Sequence, residues 1–189
     1  MAAPLVLTNP GAADRLGAPA VGLAPWQSYD LPAVDGAGPL AVQAVPAVHG
    51  PADGERDASG HINCEVSGFV LSGPGLPTAY LSGDNASIGV VKEVADRVGG
   101  IDVAVLFAGA ASVATKERGR PLTLTSPRAA AAAELLGASV VIPAHVDGWT
   151  HFSEGTEDFV AAFDQAGISG LLRVAAHGEW IDLTDLTGS

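Results

Sequence analysis

The run Thr78-Ala79-Tyr80-Leu81 breaks off in Ser82-Gly83-Asp84-Asn85, and a segment of helical periodicity follows at once. That order predicts a β-strand delivering a carboxylate to its C-terminal end, where open α/β sheets place their ligands. Two histidines stand in equivalent places. His49 follows the apolar residues 40–48, and His145 follows Val140-Val141-Ile142-Pro143-Ala144. Three strand ends therefore present His, Asp and His. These side chains suit a borderline divalent metal such as zinc.

The chain keeps a different rhythm on either side of this stretch. Upstream, residues 3–8 read as a strand, Asn9-Pro10-Gly11 as a turn, and residues 12–16 as a short helix stopped by Gly17. Gln27-Ser28-Tyr29-Asp30-Leu31 is a strand joined through the hairpin signal Asp35-Gly36 to residues 39–48. A polar loop over 50–60 follows His49 directly, so it can edge whatever His49 faces. Residues 62–72 alternate as a strand, and Gly73-Pro74-Gly75-Leu76-Pro77 turns them into the strand carrying Asp84. This half is antiparallel.

From Asp84 onward the rhythm is strand–helix–strand. A helix over 86–98 is stopped by Gly99-Gly100, and a buried strand follows over 102–107. Ser126-Pro127 starts the next helix, which Gly137 ends before the strand 140–144. A helix over 152–165 stops at Gly167. Residues 171–175 read as a last core strand, and 178–183 as an edge strand or tail.

A length of 189 residues, 48% of them apolar, fits one domain, 1–189, with a sizeable core. Formal net charge is −12, and nine basic residues are spread thinly. Without a basic cluster, nucleic acid is not expected as a partner, and the acidity argues against an anionic membrane surface. The single cysteine, Cys64, allows no intramolecular disulfide and reads as a strand side chain; a nucleophilic role would need an activating base beside it. No signal-peptide pattern and no long apolar run is present, so a cytoplasmic protein acting on a small molecule is expected.

Singly, each site residue has an ordinary alternative. Asp84 could cap a helix, His49 could be a loop residue before Gly-Pro, and His145 could bond to backbone. Their joint placement at the same ends of three strands favours the site. Beside it, Asn85, Trp149 and His151 are candidates to contact substrate. His61 and His177 read as solvated, Trp26 and Trp180 as packing residues, and Asp53, Glu55 and Asp57 as a solvated loop face.

The order His49, then Ser82-Gly83-Asp84-Asn85, then Pro143-Ala144-His145 resembles the metallo-β-lactamase superfamily. The segments 80–85 and 142–152 are more similar to its ascorbate-phosphate-lactonase-like branch than to true β-lactamases. The resemblance covers nearly the whole chain and implies an α/β fold, a four-layer αββα sandwich, with a one- or two-metal hydrolytic centre. It implies that Asp84 bridges two metals, that His49 serves the first and His145 the second, and that the metal activates a water. Asp84 and His145 would then be the catalytic pair, with Zn2+ or Mn2+ as cofactor.

One departure matters. The family's H-x-H-x-D-H motif, which precedes these residues, does not occur, and no His stands before His49. The expectation is an N-terminally incomplete sandwich, the last two thirds of the family fold, with half of each metal shell missing. An exposed sheet edge would then favour a homo-oligomer. The leading expectation is an impaired metal-dependent hydrolase of a small ester, lactone or phosphoester. A non-catalytic remnant or binding module that keeps the fold is the second, and a nucleotide-binding α/β protein a weaker third. Coding sequence upstream of Met1 specifying H-x-H-x-D-H would separate the first two.

Overall fold

The structure is a computed structural model and describes residues 4–32, 38–51 and 64–186. Asp35-Gly36, His61 and the acidic loop residues Asp53, Glu55 and Asp57 lie outside the described residues.

Among the described residues, eight strands form two sheets, and four α-helices connect or follow them. β1 (Val6–Thr8), α1 (Pro10–Leu16) and β2 (Ala20–Gly22) form a small parallel unit. The second sheet has six strands in sequence order: β3 (Ser28–Leu31), β4 (Leu40–Pro46), β5 (Ser67–Ser72), β6 (Ala79–Leu81), β7 (Val103–Phe107) and β8 (Val140–Ala144). This is the layered α/β fold expected from the sequence.

Strand direction explains where the site falls. β4 runs antiparallel to β5 and β5 antiparallel to β6, so β4 and β6 point the same way. β6, β7 and β8 are parallel. Hence the C-terminal ends of β4, β6 and β8, after which His49, Asp84 and His145 come, share one edge of the sheet.

Helices α2 (Ile88–Val98), α3 (Ser126–Leu136) and α4 (Thr156–Gln165) cover one face. Alternation along the strands sends Val70, Tyr80, Ala104, Leu106 and Val141 into the core beneath them. The stacked rings of Phe159 and Phe163, both fully buried, anchor α4 there. The alternate residues Phe69, Leu81, Val105, Phe107 and Ile142 face the other way and are half-buried. Each helix start has its own chemistry. Ser87, not Asp84, caps α2, its side chain accepting from the Val90 amide, while the Glu154 carboxylate accepts from Ser126 N at the start of α3 at 2.5 Å.

Gly137 ends α3 in the left-handed region, with φ +63, and its amide bonds to the Ala133 and Glu134 carbonyls. A Cβ there would meet nothing within 4 Å, so the cost of Gly137→Ala is conformational alone. The variant is expected to lose about 1–2 kcal/mol of unfolding free energy in urea. No loss would mean that the cap is not held left-handed.

Four expectations are corrected. Residues 171–175 form no strand: Ser169–Leu171 is a 3-10 turn, and a single bridge joins Leu172 to Val141. Val174 is 49% exposed, so a continued strand there would bury nothing. Residues 178–183 likewise carry no strand, and Trp180 is 98% exposed rather than packed. The last long helix starts at Thr156 instead of 152, because Ser153 and Glu154 donate their amides to Gly109 O. Cys64 precedes β5 instead of lying in it.

Candidate metal centre

Asp84 stands between two imidazoles. Its Oδ2 is 3.7 Å from His49 Nε2, and its Oδ1 is 3.3 Å from His145 Nδ1. Each carboxylate oxygen thus faces a different histidine. The structure brings together all three residues picked from the sequence as metal ligands.

The loops that carry them are tied from below. Asn85, expected to contact substrate, is instead fully buried. Its Oδ1 accepts from the amides of Val48 and Ser87, both at 3.1 Å, and its Nδ2 donates to Ser87 O at 2.9 Å. Ala86 N donates to Val48 O at 2.8 Å. The polar end of Asn85 is therefore used up in joining the His49 loop to the Asp84 loop. Beside it, Ser82 Oγ accepts from Phe107 N at 2.9 Å and closes the ends of β6 and β7.

His145 has φ +53, a left-handed backbone uncommon for a non-glycine residue. Its ring lies between Phe107 and Phe152, with centroids at 5.4 and 4.5 Å. Gly109 permits this packing, since a Cβ there would strike the His145 carbonyl and the Phe152 ring. Trp149 and His151 line the same cleft, of about 400 Å3, that His49, Asp84 and His145 enter. Sequence reading placed both of them there. It missed Lys116 and the apolar residues Val113 and Leu122 in the lining, and the place of Cys64 beside His49. These sit in irregular segments whose spacing carries no periodic signal.

Cys64 Sγ lies 3.0 Å from His49 Nδ1, so the thiol does have an imidazole beside it. Burial and then the charge of Asp84 push the thiol above its ordinary pKa, which keeps it protonated. This favours a hydrogen-bonding over a nucleophilic role.

Burial holds His49 below the ordinary imidazole value, against the opposing pull of Asp84. As pH falls, the unfolded chain therefore takes up this proton before the folded one. Stability tied to neutral His49 is intact above about pH 6.5 and is lost as pH falls through the lowered value. The urea midpoint of wild type should fall more steeply than that of His49→Gln between pH 7.5 and 5.5. Parallel slopes would rule this linkage out.

The residues fit a first-row divalent metal in kind. The His145 Nδ1 atom is buried with no hydrogen-bond partner, despite its closeness to Asp84 Oδ1, as an atom awaiting a ligand would be. In number they fall short. Among the described residues, no group of three or more His, Cys, Asp or Glu side chains gathers as an ion requires. A catalytic zinc takes three protein ligands and a water.

The C-terminal strand ends of this α/β sheet thus gather two imidazoles about one carboxylate. Residues 3–146 match the family model described as the β-lactamase superfamily domain, and the chain belongs to that family. Among solved structures it is similar to an isothiocyanate hydrolase from Delia radicum gut bacteria, at 19% identity and TM-score 0.73. It is similar also to a possible metal-dependent hydrolase from Veillonella parvula DSM 2008, at 15% identity and TM-score 0.74. In both comparisons 93% of this chain is covered and 65% of the other. A diiron β-hydroxylase from Streptomyces venezuelae shares the fold at 15% identity and TM-score 0.61, over 91% of this chain and 38% of that one. The chain thus spans less than two thirds of the first two relatives' length. No curated protein sequence matches. No described helix is long and apolar enough to cross a membrane.

Proposed function

We propose that this chain carries the His49–Asp84–His145 part of a metal-dependent hydrolytic centre acting on a small ester, lactone or phosphoester. The observation that carries this reading is Asp84, with a histidine nitrogen facing each of its oxygens. His49 with Oδ2 and His145 with Oδ1 would each hold one Zn2+ or Mn2+ ion. A metal so held supplies Lewis acidity and lowers the pKa of a bound water toward neutrality. The protein's own part is to hold both imidazoles oriented, to keep Asp84 between them, and to seat substrate against Trp149 and His151. The segments 80–85 and 142–152 support the ascorbate-phosphate-lactonase-like branch.

Two protein ligands per ion support weak binding and slow turnover by the chain alone. Metal content of protein purified without chelator, repeated for His49→Ala, Asp84→Ala and His145→Ala, tests the reading. Substoichiometric metal that added zinc restores, and that each substitution lowers, is expected. Protein that takes up no metal even when zinc is supplied would instead favour a non-catalytic remnant. Two tightly held ions with full turnover would show that further ligands complete each shell.

A further inference from the structure

We infer that Cys64 is a positioning residue of this centre: its thiol holds the His49 ring by Nδ1 and so keeps Nε2 turned toward Asp84 and the ion. This rests on the metal-binding reading above and adds to it a group behind the ligands.

The register of the sheet brings the pair together. β4 and β5 are antiparallel, with Ala41 opposite Ser72 and Pro46 opposite Ser67. Continued by three residues beyond each strand, the same register sets His49 opposite Cys64. Both backbones are tied there. Asn85 holds the amide of Val48, and Gly50 N donates to Val48 O at 2.9 Å. A Cβ on Gly50 would strike Leu122 and the Pro121 carbonyl, so the chain after His49 is wedged as well. On the other side, the carbonyl of Glu65 accepts from Asn9 Nδ2 at 3.3 Å, and Asn9 itself caps α1. The backbones therefore fix where the His49 ring starts, and rotation about its side-chain bonds is left to be set.

The two imidazoles are set by different means. His145 lies between the rings of Phe107 and Phe152. For His49 the structure shows a polar contact: Cys64 Sγ is 3.0 Å from Nδ1, while Nε2 lies 3.7 Å from Asp84 Oδ2. Sulfur and carboxylate thus stand at different nitrogens, and the cleft is lined by His49 with Cys64 behind it. A metal-binding imidazole places its second nitrogen against an outer partner, which orients the ring. A thiol suits both states of such a ring, because it is a weak donor and a weak acceptor. With Nε2 protonated toward Asp84, S–H donates to the bare Nδ1. With Nε2 given to an ion, Nδ1–H donates to Sγ. A carboxylate in the same place could only accept, and would serve the second state alone.

The test uses the whole chain as wild type, Cys64→Ala and Cys64→Ser, the last keeping a donor and an acceptor in place. Zinc affinity is measured by titration calorimetry. The Nδ1 and Nε2 resonances of His49 are followed by nitrogen NMR on the metal-free protein at about pH 8, where imidazole is neutral. Cys64→Ala should weaken zinc binding about tenfold, the low end for an outer partner, because Cys64 is exposed. It should also move the Nδ1 resonance of His49, and Cys64→Ser should restore both. Urea midpoints should agree among the three proteins, which separates the loss from one of folding. Zinc affinity and His49 resonances equal in wild type and Cys64→Ala overturn the assignment, as does a loss that Cys64→Ser fails to reduce. Should wild type take up no zinc while the Nδ1 resonance still follows residue 64, the metal-binding reading fails and the thiol's hold on His49 stands.

Discussion

Asp84→Asn is expected to weaken zinc or manganese binding by at least about 100-fold and to bring hydrolysis to background. Changes behind the ligands already cost about 10–100-fold in metal affinity, and Asp84 is itself a ligand in the centre proposed above. Asparagine keeps the shape and removes the charge, so the loop should stay in place. The substitution also isolates its own cause. Asp84 raises the pKa of His49, so removing the charge moves His49 further toward the neutral form that can bind a metal. Lost affinity would then not come from protonation of that imidazole. Titration calorimetry with zinc at pH 7.5 measures the effect, and wild-type affinity in the variant would remove Asp84 from the centre.

The second large effect is expected at a residue that touches no ligand. Asn85→Ala should cost about 2–6 kcal/mol of unfolding free energy, since it strands the part-buried amide of Val48 and the buried amide of Ser87, and each orphaned donor costs about 1–3 kcal/mol. Metal affinity should fall with it, because the same side chain ties the loop of His49 to that of Asp84. Urea unfolding measures the first effect and zinc titration the second. A loss under about 1 kcal/mol would show that the Ala86–Val48 backbone bond suffices to join the loops.

How much of this could be read in the sequence depended on whether a residue's neighbours were set by a regular element. His49, Asp84 and His145 could be found because each follows an apolar strand, and two antiparallel steps followed by parallel ones bring those strand ends to one edge. The helix over Ser126–Leu136 could be bounded to the residue because Pro127 and Gly137 mark its ends chemically. Asn85 shows the limit. Its sequence position beside Asp84 suggested a pocket residue, but burial depends on which loop packs over it, and Val48 is 37 positions away in sequence. Leu171-Leu172-Arg173-Val174-Ala175 has strand composition, yet with Val174 exposed it finds only one bridge at the open edge of β8. Lys116 was unreadable for a different reason: it precedes Glu117 and Arg118, whose left-handed angles no propensity would predict.

The switch from antiparallel to parallel pairing has a consequence for cooperativity. His49 belongs to the half of the sheet built from hairpins, His145 to the half built from crossovers, and Asp84 stands at the seam between them. Each half brings its own histidine to the one carboxylate that both share. An ion held by Asp84 and one histidine would bind only where that histidine's half of the sheet has assembled on β6, so its binding free energy would add to the stability of that half. By mass action, about 2.7 kcal/mol accrues at a free-ion concentration 100 times Kd. Metal supply would then act on this chain as a folding signal, stabilising two differently built sheet regions through the one strand end they share.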